Sequence, residues 1–408
     1  MEPTGPRIHR FDAAAIPAPA YEDVVPYYAE LCALSELRKK PGSGVELNSG
    51  IGGHSLLYLN GVRVNRASSY PVLEVCPPGS EPGRQGAVIS VNSHYRNANW
   101  LAVEDRNFVF RGALAPGEAL TPEGYARTQR RAREMGVLEG IEFHEHFFRD
   151  KPPGMPAEDF KYEISVASDY AVQFGRDCYR ARLPLDAGRM RMIVDFLNNL
   201  NAPYQAGRTY NWKLFNDNCS HVAHNALAAA GVWAPWPTGQ SVALAVFKFP
   251  VPKNEMVDLA RRANDLPLED AQALFDDPHA RRALLETGTL PAGPGALTSI
   301  ARAITANDIY DVERLRLIFF DNPFWGPYRF WFKRLFSEPR YTDLAANLRH
   351  FVKRYEAAAS RLAPRPHWPA ERVRFQALYE QHVTAEAAKA GQWLARLNEA
   401  ALPALEQA

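Results

Sequence analysis

The sequence predicts an α+β protein, with an antiparallel sheet and a packed helix over residues 41–247 and an all-helical domain over 248–408. Asn60-Gly61 separates two apolar runs, which is a strong short-range signal for a β-hairpin. Beyond residue 247 the pattern is nearly all helical, with breaks at prolines. Further strand-like runs are predicted at 70–76, 86–92, 100–105 and 107–112.

Composition and charge exclude several classes of protein. The chain has 408 residues, 46% of them hydrophobic and 23% charged, which is ordinary globular usage and excludes a disordered, collagen-like or coiled-coil chain. Lys plus Arg is 47 and Asp plus Glu is 46, so the net charge of +1 argues against a nucleic-acid-binding protein. The four cysteines are far apart and form no C-x-x-C pair, which argues against a disulfide scaffold or a four-cysteine zinc site.

The first part of the chain, residues 1–40, is predicted to be a Pro-rich lead-in followed by a short helix over 21–40. The lead-in has no apolar core typical of a signal peptide, and no run approaches the length needed to span a bilayer. We therefore expect a cytoplasmic protein, with secretion by a non-standard route left open.

Three further elements are predicted from capping residues and periodicity. Thr121 and Pro122 begin a helix that runs to about residue 135, and Asp186 begins another that runs to about residue 200. Residues 178–185 are predicted to form a strand, whereas 157–174 fit no single element.

Cys219 stands at the start of a predicted helix that stops at Gly231. A helix N-terminus or a nearby imidazolium lowers the pKa of a thiol, and free N–H groups there can hold an oxyanion. Helical spacing places His221 and His224 away from the face that carries Cys219, so a base must come from elsewhere. His54, which starts a predicted strand after a glycine-rich turn, is the natural candidate. The alternative is that Cys219 is a small buried hydrophobe.

The order of two short motifs resembles a known family. The run GGHSLLYL at 52–59 comes first, and Asn218-Cys219 follows much later, preceded by Tyr204 and Tyr210. This order resembles the circularly permuted NlpC/P60 branch of the papain-like superfamily, which includes lecithin–retinol acyltransferase-like proteins. It is most similar to the N-terminal domain family of bacterial periplasmic lipoprotein N-acyltransferases, whose members are exported.

The resemblance implies a permuted papain-like fold, with Cys219 as nucleophile and His54 as general base in a thiolate–imidazolium pair. A third polar residue on a neighbouring strand orients the histidine in this family, for which His94 is the first choice and Asn92 the second. The predicted substrate contacts are Asn218, Gly53 and Tyr210.

Two other motifs have plainer interpretations. His144 and His146 share one face of a predicted surface strand, but two imidazoles are too few for a zinc site, so no metal is predicted. The segment 319–332 holds eight aromatic residues, counted as Phe, Trp and Tyr. It is predicted to form helical-domain core, with an acyl groove or a membrane-surface contact as the alternatives.

The sequence therefore predicts cysteine-dependent acyl chemistry, either hydrolysis or acyl transfer, without a cofactor. The resemblance implies a lipid, lipopeptide or peptide-like substrate. Peripheral membrane contact stays open and no oligomeric state is predicted. The alternative from another class is a catalytically inactive papain-like scaffold that binds a protein or membrane partner through its aromatic helical domain.

Overall fold

The computed structural model describes residues 21–22, 24–45, 53–65, 67–77, 86–214, 217–238, 251–313, 315, 327–361 and 368–405. The strands are β1 Tyr28–Leu34, β2 His54–Asn60, β3 Val62–Val64, β4 Leu73–Val75, β5 Gly86–Ser90, β6 Leu101–Glu104, β7 Cys178–Pro184 and β8 Thr298–Ala301. The helices are α1 Arg106–Arg111, α2 Pro122–Glu134, α3 Ala157–Ser165, α4 Ala187–Gln205, α5 Cys219–Ala229, α6 Pro252–Asp265, α7 Ala271–Asp276, α8 Pro278–Thr287, α9 Tyr328–Leu335, α10 Pro339–Thr342, α11 Leu344–Ala359 and α12 Ala370–Leu405.

The main sheet is antiparallel, with the strand order β6-β5-β2-β1-β7-β8, and β3 pairs with β4 beside it. The α+β class is therefore confirmed. Register aligns the ends of the central strands, because Leu34 of β1 lies between His54 of β2 and Cys178 of β7. This end of the sheet carries the site described below.

Four predicted elements are wrong. Asn60-Gly61 joins β2 to β3 but does not make a paired hairpin, because β2 pairs with β1 and β5 whereas β3 pairs with β4. The helix expected over 21–40 is limited, among the described residues, to positions 21, 22 and 24. It is followed by β1, which is buried at every position and so lacks the apolar–polar alternation of a half-exposed strand. The run at 107–112 forms α1, because the Asp105 side chain accepts hydrogen bonds from two N–H groups of its first turn. The C-terminal region is not all helical, since its four-residue β8 pairs with β7 and extends the sheet.

Other local predictions are confirmed. Thr121 and Asp186 cap α2 and α4, and the backbone reverses after α5 at Gly231, where φ is +77°.

The two histidines expected on a surface strand are not on one. His144 and His146 lie at a 3-10 helix, Glu145–Asp150. Within the described ranges, no helix combines the length and apolar character needed to cross a membrane. Much of the aromatic segment, residues 319–326, lies outside the described residues.

Helices α5 and α6 hold the C-terminal half against the sheet. The Ser220 hydroxyl of α5 lies 3.1 Å from the Ser55 hydroxyl of β2, and α6 packs on β1 and β7. The two helices are joined by His224, whose Nδ1 lies 2.5 Å from Glu255 Oε1 and whose Nε2 lies 2.8 Å from the Ala234 carbonyl oxygen. The residues at the starts of α5 and α6 are thereby positioned at the sheet.

Candidate functional site

Cys219 is the first residue of α5. The Asn218 side chain caps this helix by accepting hydrogen bonds from the N–H groups of Ser220 and His221, at 2.9 and 3.1 Å. Cys219 is partly exposed, whereas the other three cysteines are buried. It is therefore the cysteine that a reagent or substrate can reach most easily.

Burial raises the pKa of the Cys219 thiol, and hydrogen bonds partly oppose that effect. The opposing donors are the backbone N–H and the hydroxyl of Ser55, together with N–H groups at the start of α5. The net direction is upward because desolvation outweighs these hydrogen bonds. The resting site therefore favours the neutral thiol, not the thiolate expected from the helix N-terminus alone.

His54 opens β2, and its ring is held from one side by a polar chain of contacts. His54 Nε2 lies 3.3 Å from the Ser90 hydroxyl of β5, and that hydroxyl donates to Asp169 Oδ1 at 2.6 Å. An ionised carboxylate only accepts hydrogen bonds, so the Ser90 oxygen is left to accept from Nε2–H. This assigns the proton of the neutral ring to Nε2 and leaves Nδ1 as the basic nitrogen.

Asp169 is fully buried in a loop with unusual backbone geometry. Ala167 and Ala171, on either side of it, have φ values of +59° and +53°, in the left-handed region that disfavours alanine. Burial raises the pKa of Asp169, but the nearby His94 imidazole and hydrogen bonds from Ser90 and other neighbours lower it by more, so the net pKa is lowered. Strain at a buried ionised carboxylate is typical of functional positions.

The predicted orienting residues both contact Asp169 rather than the His54 ring. His94 Nε2 lies 3.6 Å from Asp169 Oδ2, and the Asn92 side-chain amide donates to Asp169 Oδ1. Ser90 and Asp169 hold the His54 ring instead, and neither residue was singled out from the sequence. Ser90 is a lone hydroxyl in an apolar strand, and that pattern was the available signal.

The structure brings His54 and Cys219 to the same end of the sheet without joining them. Strand alternation places Ser55, not His54, toward α5. Within the described residues, the hydrogen bond of the His54 ring goes to Ser90, and none links it to the Cys219 sulfur. Burial, followed by the charge of Arg176, lowers the pKa of His54 to about 3. A neutral thiol and a neutral imidazole thus replace the expected ion pair.

Two buried cations lie close to both groups. Arg176, just before β7, and Lys253, near the start of α6, both lower the pKa of His54. The pKa of each cation is lowered mainly by burial and raised by the charge of Cys219. Neither cation is marked by a local motif in the sequence, and Lys253 comes after the proposed boundary at 247.

Gly53 and Tyr210, both predicted substrate contacts, line this region. A Cβ on Gly53 would lie 1.8 Å from Lys253 Nζ and 2.4 Å from the Leu34 carbonyl oxygen, so only glycine fits there. Tyr210 is buried, and within the described residues its hydroxyl has no hydrogen-bond partner. Burial raises the pKa of that hydroxyl well above its ordinary value, and the charges of Asp217 and Cys219 add to the effect.

A cleft of about 480 Å³ is lined by parts of 64–71, 101–104 and 135–141, and includes neither Cys219 nor His54. Among the described residues, no group of three or more His, Cys, Asp or Glu side chains could hold a metal ion. Comparison of the chain with family models, with curated proteins and with solved structures gives no match.

Proposed function

We propose that the protein performs cysteine-dependent acyl chemistry in which Cys219 is the nucleophile. The observation that carries this proposal is the pairing of a partly exposed thiol at a capped helix N-terminus with a histidine at the same end of the sheet. The contacts of Ser90 and Asp169 leave Nδ1 of that histidine basic. A permuted papain-like arrangement, with the strand histidine before the helix cysteine, is part of the proposal.

The proposed reaction starts from the neutral pair. As the Cys219 sulfur forms a bond to a carbonyl carbon, its proton passes to His54 Nδ1 through bridging water, since no hydrogen bond joins the two side chains within the described residues. The N–H groups of Ser55 and Cys219 stabilise the oxyanion, since those of Ser220 and His221 already donate to the Asn218 side chain. The C–N or C–O bond then breaks, and the leaving group takes the proton from His54. Water, an amine or a hydroxyl finally attacks the thioester and releases Cys219.

A panel of acyl donors tests this proposal. The protein is incubated with short- and long-chain acyl esters and with N-acyl peptides, and product and acylated protein are followed by mass spectrometry. We expect an acyl adduct on the peptide that contains Cys219, removed by neutral hydroxylamine as a thioester is. Cys219→Ala should abolish turnover, whereas Cys76→Ala, which removes a buried thiol, should retain it. Absence of turnover across the panel, or turnover that survives Cys219→Ala, refutes the proposal.

The second candidate is a catalytically inactive scaffold that binds a partner. The raised pKa of the Cys219 thiol supports it, because a scaffold does not need a reactive cysteine. A protein that binds a partner in pull-down experiments with undiminished strength after Cys219→Ala, and that acylates with no donor, fits this candidate.

A further inference from the structure

Arg176 is buried beside the proposed nucleophile with few partners. Its Nη1 donates to the Ser35 carbonyl oxygen at 2.8 Å, and its Nε has no hydrogen-bond partner within the described residues. A buried cation is costly unless it is paired, and the unused guanidinium N–H group is the kind that recognises carboxylate or phosphate oxygens.

Lys253 brings a second cation to the same place. It is fully buried, and its Nζ fills the space beside Gly53, the residue that precedes His54. Because Leu34, His54 and Cys178 are in register, Arg176 and Gly53 both lie just before the aligned ends of β7 and β2. The two cations therefore converge on one end of the sheet from different elements.

The carboxylate whose charge acts on Arg176 is engaged by other residues. The charge of Asp169 acts on Arg176, but Asp169 is held by Ser90 and Asn92, and Arg176 forms no ion pair within the described residues. Glu36 acts on Lys253. Burial is nevertheless the largest influence on both cations and lowers their pKa values, to about 10 for Arg176 and about 7 for Lys253. Arg176 thus keeps its charge at neutral pH.

We propose that Arg176 and Lys253 form an anion-binding subsite beside Cys219 that receives a carboxylate or phosphate group of the substrate close to the attacked carbonyl. This inference rests on the proposed function and narrows its substrate class to anionic acyl compounds. An anionic group here gains charge-assisted hydrogen bonds in a site that is already dehydrated, whereas a neutral analogue leaves the guanidinium unpaired.

Two alkylating reagents test the subsite without any substrate. Iodoacetate and iodoacetamide differ by one negative charge, and both depend equally on the reactivity of the thiol. Their rates at Cys219 are measured by peptide mass spectrometry at neutral pH and divided by their rates with a free cysteine peptide. We expect iodoacetate to be favoured about tenfold or more, and Arg176→Met and Lys253→Met each to reduce this preference.

Arg189→Met is the matched control. Arg189 is also buried and donates from its Nε to a single described carbonyl oxygen, that of Ala230 at 2.9 Å, but it lies at the opposite end of α5 from Cys219. This variant should keep the preference for iodoacetate. Arg176→Lys, which keeps a charge, should retain part of it and gives a second measurement if Arg176→Met does not fold.

Inorganic phosphate and acetate identify the source of the anion. Each anion is added at increasing concentration while alkylation of Cys219 is followed. The subsite favours phosphate if phosphate slows alkylation at a lower concentration than acetate does, and carboxylate if the order is reversed. A normalised preference near one, no protection by either anion, or an equal loss of both rates in Arg176→Met overturns the subsite. These results are independent of acyl turnover, so the subsite and the proposed function fail separately.

Discussion

Two buried groups of cations lie along the central strands, and they differ in one respect. In the first group, the fully buried Glu30 of β1 forms ion pairs with Arg106 and Arg182. In the second, Arg176 lies at the end of β1 with a backbone carbonyl as its hydrogen-bond partner. The net pKa of Arg106 is raised despite burial, since Glu30 outweighs it, whereas the net pKa of Arg176 is lowered.

The difference separates a structural charge from one available to a ligand. The Glu30 cluster contains its own counter-ion, so the energy of its ion pairs contributes to the stability of the folded chain. Arg176 forms no ion pair within the described residues and lies close to a partly exposed thiol. Substitutions in the first cluster should therefore change stability, and substitutions in the second should change reactivity.

Glu30→Ala tests the first half of this comparison and should have the largest effect. Removing the carboxylate leaves three arginines, Arg106, Arg180 and Arg182, without their shared counter-ion. We expect the free energy of unfolding, measured by urea denaturation, to fall by about 3–5 kcal/mol. Glu142→Ala, which removes an exposed ion pair with Arg96, should cost less than about 1 kcal/mol. Equal effects of the two substitutions contradict a structural role for Glu30.

Asp169→Asn tests how His54 is held. An asparagine can donate a hydrogen bond to Ser90, which no longer obliges the Ser90 oxygen to accept from Nε2–H of His54. We expect alkylation of Cys219 by iodoacetamide to slow roughly 10- to 100-fold, the size usual for loss of an orienting partner. The pH dependence of that rate should also change. Asp265→Asn is the matched control: Asp265 accepts from the Tyr341 hydroxyl at 2.9 Å at the far end of α6 from Lys253, and its replacement should leave rate and profile unchanged. An unaltered rate in Asp169→Asn would remove Asp169 from the site.

The buried histidines predict how stability depends on pH. Burial lowers the pKa of His54 to about 3, so between about pH 6.5 and pH 3 the unfolded chain binds a proton there that the folded chain does not. Stability therefore falls as the pH falls through this window, by up to about 1.4 kcal/mol per pH unit. His54→Gln should flatten the slope measured by urea denaturation at a series of pH values.

His382→Gln provides the matched control for that measurement. Burial also lowers the pKa of His382 to about 3, and this residue lies on α12. Its replacement should flatten the stability slope in the same way but leave alkylation of Cys219 unchanged. A slope that neither substitution alters shows that both rings are protonated in the folded protein.

Arg176→Met should have the smallest effect on stability. The substitution removes a buried charge together with one hydrogen bond to the Ser35 carbonyl oxygen. These contributions oppose each other, so we expect the free energy of unfolding to change by less than about 1 kcal/mol. If the free energy of unfolding falls as much as in Glu30→Ala, Arg176 has a structural role like that of the Glu30 cluster, and the proposed difference between the two groups is wrong.

Local sequence patterns predicted the parts of the fold that depend on local interactions. The Thr121 cap of α2 and the Asn218 cap of α5 follow from neighbouring residues alone, whereas the hairpin expected at Asn60-Gly61 does not form, because β2 and β3 pair with other strands. β1 was missed because a strand buried on both faces lacks the alternation that distinguishes strand from helix. Its position in the sheet depends on pairing with distant strands.

The same distinction applies to the candidate site. His54 and Cys219 were singled out because each has a local signal, a glycine turn or a helix cap. Ser90, Asp169 and Arg176 were not, since their roles come from contacts between segments far apart in the chain. The neutral state of the thiol could not be predicted either, because it depends on how completely the fold excludes water from the start of α5.

The pH profile of Cys219 alkylation by iodoacetamide tests the central claim most directly. If His54 acts as the base, the rate should change little between about pH 4 and pH 7, because burial holds the pKa of His54 at about 3. A free cysteine peptide should instead react about tenfold faster per pH unit, and His54→Gln should restore that dependence. If Cys219 follows the free peptide and His54→Gln has no effect, the two residues do not act together.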